Sequence, residues 1–250
     1  MISKNKVKYL KSLQLKKIRK IHREFLVEGA KSVLELLKSD YVVKDIFLTE
    51  NFLNCYENQL NESKVAYEVC TQKELEVVGS LITNDSAIAV AEIKENKFLG
   101  IEEDEFVLAL DDIKDPGNLG TIIRIADWFG IKKIICSEET TDFYAPKVIS
   151  ATMGSFSRIA VYYCNLEEYL LKSGKKIFGA SLSGDNVHHV AFGKAGIILL
   201  GNESRGINTN NNKLINTSIK IPGYGGAESL NVAVAGAIIC DNLRRTQENI

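Results

Sequence analysis

The chain is poor in the residues that anchor metals, staple small domains or cross membranes. It has three histidines, three prolines and one tryptophan, and its five cysteines never form a CxxC pair. Cys55, Cys70, Cys136, Cys164 and Cys240 are scattered and odd in number. That pattern argues for reduced thiols, mostly buried, over a disulfide framework or a thiolate zinc site. Two of the three histidines are adjacent, His188 and His189, so no metal is expected. No apolar run reaches the ~18 residues that span a membrane. The opening Met-Ile-Ser-Lys-Asn-Lys lacks an apolar signal core, so the expectation is a cytoplasmic protein without a membrane partner. Glycine loops are present, but none is followed by Gly-Lys-Ser/Thr and none has G-x-G-x-x-G spacing. This disfavours a P-loop nucleotidase and a dinucleotide-dependent oxidoreductase.

One further absence is local. The first 23 residues contain no acid, yet they hold nine basic side chains: Lys4, Lys6, Lys8, Lys11, Lys16, Lys17, Arg19, Lys20 and Arg23. The formal net charge of −1 therefore hides a basic arm on an acidic body. Such an arm suits a polyanion partner, and a solvated helix face is the alternative. Leu10, Leu13 and Ile18 interleave with the charges, which predicts that part of the arm folds. With 45% hydrophobic and 25% charged residues over 250 positions, the rest reads as an ordinary globular protein of one or two domains.

Strand and helix patterns alternate throughout, which indicates an α/β fold. Strands are predicted at 24–28, 41–48, 64–70 and 87–93, with a helix over 29–38. Thr71 and Glu74 form a capping-box pattern. A largely parallel sheet is expected here. The polar stretch 94–104, with Gly100, marks a boundary between a first domain at 1–98 and a second at 105–250. The second begins with a buried strand at 106–110, a polar turn at 111–118 and a helix at 119–129. Further strands fit 133–136, 158–162, 176–180, 196–200 and 218–221, and 142–156 holds a short helix and a Met-Gly-Ser turn. No repeat is present, only an Asn-rich turn at 208–212.

Three polar loops leave strand ends, where ligands bind in open α/β sheets. The first, Asp115-Pro-Gly-Asn-Leu-Gly-Thr-Ile-Ile-Arg124, places Asn118 at a helix mouth and Arg124 among isoleucines. An Arg there needs an anion or water. The second, Leu200-Gly-Asn-Glu-Ser-Arg-Gly-Ile207, sets Glu203 at a sheet edge after Gly201. The third is Ile221-Pro-Gly-Tyr-Gly-Gly-Ala-Glu-Ser-Leu-Asn231 and its continuation. Pro222 and three glycines forbid regular structure there. Ser229 is the predicted N-cap of a final helix whose Leu230, Val232, Val234, Ala235, Ile238 and Ile239 give an almost all-round apolar surface, hence burial. Each loop read alone is also compatible with a plain polar turn.

In this order and spacing the three loops resemble the motifs of the SpoU (TrmH-type) RNA 2′-O-ribose methyltransferases of the SPOUT superfamily. The resemblance covers 105–250. Residues 24–93, with Phe25-Leu-Val-Glu-Gly-Ala30, resemble more loosely an L30e-like substrate-binding domain. The resemblance implies a parallel sheet with a deep trefoil knot, although chains ordinarily avoid threading. It also implies a pocket for S-adenosyl-L-methionine touching Gly201, Ile221 and Leu230, with Leu200 nearby and Ala180 and Ser181 as lesser contacts. Arg124 with Asn118 would serve the ribose hydroxyl. Glu203 would hold Arg124 or a ribose hydroxyl, and Ser229 and Asn231 would bond the substrate or the arginine. A homodimer is implied, Arg124 completing the partner's site. Gly223 departs from a frequent Met, and Ser150 from a frequent Arg. The expected substrate is ribosomal RNA; tRNA and a non-catalytic RNA-binding role in ribosome assembly remain alternatives.

Overall fold

The computed structural model describes residues 2–248. The chain forms two compact units, and the second interrupts the first: Asp142–Ser157 belongs with the residues up to Glu95. The remainder, Asn96–Thr141 and the chain from Arg158 on, makes the other unit.

The first unit begins with α1 (Lys4–Ser12) and α2 (Lys16–His22). The arm folds because Leu10 and Leu13 are fully buried in a core with Leu26, Phe47 and Leu75. Not all its charge is free. Arg19 is 3% exposed, donates to the carbonyls of Leu13 (3.0 Å) and Gln14 (2.7 Å), and pairs with Asp142 at 2.6 Å. Lys6 pairs with Asp45 at 2.7 Å. Lys4, Lys8, Lys11, Lys16, Lys17, Lys20 and Arg23 remain exposed.

β1 (Glu24–Glu28), α3 (Ala30–Leu37), β2 (Val43–Leu48), α4 (Glu50–Ser63), β3 (Tyr67–Val69), α5 (Gln72–Val78) and β4 (Ala87–Glu92) follow. The predicted capping box opens α5: Thr71 Oγ1 accepts from the Glu74 N–H, and the Glu74 carboxylate accepts from the Thr71 N–H at 2.9 Å. The strand order is β1-β4-β2-β3. β4 lies antiparallel to β1 and β2, and only β2 and β3 run parallel. The expected largely parallel sheet is therefore a mixed one. The apolar run at 87–91 is buried throughout, which demands a central place. Composition carries no information on the direction in which the chain enters that place. The helix α4 was not anticipated: it buries only Phe52 and Leu60 and is kinked at Tyr56, so it shows little periodicity.

The second unit opens with β5 (Phe106–Leu110), α6 (Pro116–Trp128) and β6 (Lys133–Ser137). The chain then returns to the first unit with α7 (Pro146–Thr152). There Tyr144 and Phe156 pack on Phe25, with ring centroids 4.7 and 6.2 Å away. Ser150 lies on this helix. Back in the second unit come β7 (Ala160–Cys164), α8 (Leu166–Ser173), β8 (Ile177–Asn186), β9 (Gly196–Leu200), α9 (Thr209–Asn212), β10 (Thr217–Lys220) and α10 (Val232–Glu248). Six strands form one parallel sheet, in the order β10-β8-β9-β5-β6-β7. Its central strands β5 and β9 are buried at every residue. Helix α10 packs against α6.

Two expectations for α10 change. It begins at Val232, and Asn231 caps it in place of Ser229: Asn231 Oδ1 accepts from the N–H groups of Ala233 (2.9 Å) and Val234 (3.3 Å). Nor is it buried all round, since Val234 is 48% exposed while Ala233, Ile239, Cys240 and Leu243 are buried.

Candidate active site

Asn118 joins the three loops. Asp115 caps α6, its Oδ1 accepting from the Asn118 N–H at 2.8 Å, and Pro116 supplies the first turn with a preset φ. This fixes Asn118 in the first turn of the helix. Its side-chain Nδ2 donates to Glu203 Oε1 at 2.9 Å. Its Oδ1 accepts from Asn231 Nδ2 at 2.8 Å. Residues far apart in sequence thus meet at one amide. Glu203 also accepts from the backbone N–H of Asp115 (3.2 Å) and Lys114 (3.4 Å). Partial burial works to raise its pKa, but the Asn118 amide and these backbone donors outweigh it and hold the carboxyl below the ordinary carboxylate range.

Within this chain Glu203 and Asn231 hold Asn118, and neither bonds Arg124. Arg124 is exposed on α6 and makes no hydrogen bond or ion pair among the described residues. The reason is helical geometry: six residues at about 100° each leave it roughly 120° around the helix from Asn118. It shares its face with Thr121 and with Trp128, which is 84% exposed.

The loop bearing Glu203 is held at both ends by consecutive acids after β5, residues that sequence reasoning passed over. Asn202 Oδ1 accepts from the N–H groups of Ser204 and Arg205, both at 3.0 Å, and its Nδ2 donates to the Asp112 carbonyl at 2.8 Å. Asn202 and Gly206 exchange two backbone hydrogen bonds, and the Arg205 guanidinium pairs with the Asp112 carboxylate. Asp112 itself sits in the left-handed region at φ 61°. Downstream, the buried Asp111 Oδ2 accepts from the Asn208 N–H (2.7 Å) and Asn211 Nδ2 (2.9 Å). The Asn-rich turn and the paired acids were the available signals. A methyl group on Gly201 would overlap the backbone of Gly206 and Ile207, so this close turn admits only glycine there.

The third loop differs. Among the described residues no hydrogen bond involves 223–230. Gly223 through Leu230 are all exposed, Ser229 included, and Tyr224 is 96% exposed. Ile221 and Gly201 are half-buried, Leu230 is 49% exposed, and Leu200 is fully buried with its carbonyl taken by the Asp111 N–H. The unit therefore offers apolar side chains at Ile221 and Leu230, a run of unpaired backbone amides and carbonyls, and a polar triad at Asn118, Glu203 and Asn231. An adenosine-type ligand needs such a set: apolar faces for a ring, and backbone groups for its edge. Among the described residues no three His, Cys, Asp or Glu side chains gather as a metal site.

Comparison with known proteins identifies the family. The SpoU rRNA Methylase family profile matches residues 105–241, and that of an MRM3-like substrate binding domain matches residues 4–89. The chain is 33% identical to the 23S rRNA (guanosine(2553)-2′-O)-methyltransferase RlmP of Bacillus subtilis, over 96% of each chain. Among solved structures it is similar to a putative RNA methyltransferase of the TrmH family from Porphyromonas gingivalis, with 31% identity, a TM-score of 0.85, and 98% and 99% of the two chains covered. An AdoMet-bound rRNA methyltransferase from Sinorhizobium meliloti is similar too, at 28% identity and a TM-score of 0.87, over 98% and 97% of the chains. The chain belongs to the SpoU rRNA methylase family.

Proposed function

We propose that this chain transfers a methyl group from S-adenosyl-L-methionine to a ribose 2′-hydroxyl of ribosomal RNA. The observation that carries the reading is the meeting of Asn118, Glu203 and Asn231 at one point on three separate loops. The relative from B. subtilis is named for this reaction on 23S rRNA, and the S. meliloti structure holds AdoMet.

S-adenosyl-L-methionine supplies an electrophilic methyl group, so the chain's task is to hold and orient the attacking oxygen. Gly201, Ile221 and Leu230 would touch the cofactor, while the buried Leu200 supports the floor beneath it. Asn118, fixed by Glu203 and Asn231, orients the ribose. Ser229, exposed beside Asn231, is free to bond the same sugar. Arg124 orients the hydroxyl and its neighbouring phosphate; a guanidinium resists deprotonation and is a poor general base.

Arg124 does not reach its own chain's triad, and this supports a homodimer in which it completes the partner's site. Trp128, one helical turn away, and Val234 on α10 expose apolar surface on two helices that pack together. We infer also that α10 threads the 201–216 loop to form the trefoil knot; Gly236 of α10 is seated against Leu200 at the root of that loop. The seven exposed basic residues of α1, α2 and Arg23 suit RNA phosphates. Ser150 offers no positive charge, and no phosphate contact is assigned to it. Work on ribosomal RNA suits a cytoplasmic protein.

The test is methyl transfer to rRNA from cells lacking the protein. Wild-type protein should methylate a ribose. Arg124→Ala should abolish turnover with cofactor affinity, read by calorimetry, within about twofold. A wild-type protein that binds no S-adenosyl-L-methionine, or an Arg124→Ala protein with full turnover, refutes the reading.

A further inference from the structure

Three glycines in the third loop lack a static reason. Gly223, Gly225 and Gly226 do not occupy the left-handed region, and a methyl group added at any of them would meet nothing within 4 Å. Contrast Gly201 or Gly184, where a Cβ would overlap backbone. Glycine loses more conformational freedom on ordering than any other residue. A loop that carries three glycines without need of them in this conformation is built to take up another one.

These glycines surround one large side chain. Tyr224 is 96% exposed, the most exposed aromatic residue described in the chain. Its ring rests on no described residue, and no hydrogen bond involves residues 223–230. The loop is nonetheless tied to the reacting groups at its far end, because Asn231 is bonded to Asn118. At its near end Tyr224 stands three residues beyond Ile221, a reach of about 10 Å of extended chain. A ring so placed serves the nucleotide at the site or its direct neighbour.

We propose that Tyr224 is a mobile stacking platform for an unstacked base of the RNA, at or beside the nucleotide being methylated. The inference rests on the RNA methyltransferase reading given above. Reaching a 2′-hydroxyl inside folded RNA requires a nucleotide drawn clear of its neighbours, and proteins offset the lost stacking with an exposed aromatic face. The ring suits RNA better than the cofactor: a pocket wall is backed by protein, whereas this ring stands free on both faces. The flanking glycines let it swing onto a base whose position varies. On this account Gly223 replaces a bulkier residue because a side chain there would restrict the swing.

The experiment uses the full chain with tritiated S-adenosyl-L-methionine and unmethylated rRNA. Tyr224→Ala should raise the KM for RNA by roughly five- to a hundred-fold, the value of one lost stack. Tyr224→Phe should restore it to within about twofold. Calorimetric affinity for S-adenosyl-L-methionine without RNA, turnover at saturating RNA and sedimentation should be unchanged in both. An unchanged KM for RNA in Tyr224→Ala overturns the proposal. So does weakened cofactor affinity, which would assign the ring to the adenine, or altered sedimentation, which would assign it to a subunit contact. A wild-type protein that methylates no RNA refutes the function itself, a different result from wild-type turnover with an indifferent Tyr224.

Discussion

The loop at 201–212 and the loop at 223–230 leave strands of the same sheet and are built on opposite principles. The first is over-determined. Asp111, Asp112 and Asn202 tie it to the end of β5, a close turn closes it, and Gly201 seats against its backbone. The second has no internal support and no steric constraint at its glycines. Precision is needed in the first loop and not in the second. Glu203 must meet Asn118 to within a hydrogen bond, so its loop is fixed before any ligand arrives. The second loop, on the proposed function, wraps the cofactor, and its backbone groups are free to be satisfied by what binds.

One methyl group added to each loop should separate them most widely. Gly201→Ala should cost about 3 kcal/mol of stability, because overlap with Gly206 and Ile207 cannot be relieved without moving the turn. Gly225→Ala should change stability by less than about 0.5 kcal/mol, or raise it slightly by restricting the unfolded chain. Equal losses in chemical denaturation would show that the loops are alike. Next in size is Asp111→Ala, which strands the Asn208 N–H and the Asn211 amide and should cost about 2 kcal/mol. Amide exchange should quicken at 201–212 and stay the same at 223–230. Exchange that quickens equally in both loops would mean that Asp111 supports the whole unit.

A smaller effect is expected at the hub. Asn118→Ala removes the bonds to Glu203 and Asn231, but in a partly exposed setting, and should cost about 1 kcal/mol. Its larger consequence should be in turnover, because Glu203 and Asn231 then hold nothing between them. A variant with wild-type turnover would detach the triad from catalysis.

The contrast between the loops was only half legible in the sequence. Glycines and polar residues marked all three loops, and the buried strands at 106–110 and 196–200 were read at the boundaries now observed. Which loop is tied down depends on pairs such as Asp111 with Asn211, a hundred residues apart, and no local pattern records them. The same limit hid the direction of β4 and the burial of Arg19 against Asp142. Ser229 and Asn231 were both plausible caps by residue type. The choice fell to Asn231 because its side chain can cap the helix and reach Asn118 at once.

The smallest effect concerns the charge of Glu203. Its pKa lies below the ordinary 4.5, because donors at Asn118, Asp115 and Lys114 favour the ionised form more than burial disfavours it. A carboxyl with a depressed folded pKa adds stability that is fully present above the unfolded value. That stability is lost as pH falls through the folded one. The difference in stability between wild type and Glu203→Gln should therefore be flat from pH 8 to about 5 and narrow only below about 4.5, where the wild-type carboxyl takes up its own proton. Denaturation series at several pH values would measure it. A difference that shrinks between pH 8 and 5 would mean that burial wins at Glu203. The fixed loop would then present a neutral acid to Asn118, and an exposed network of neutral groups would not need the anchoring that Asp111 and Asp112 give it.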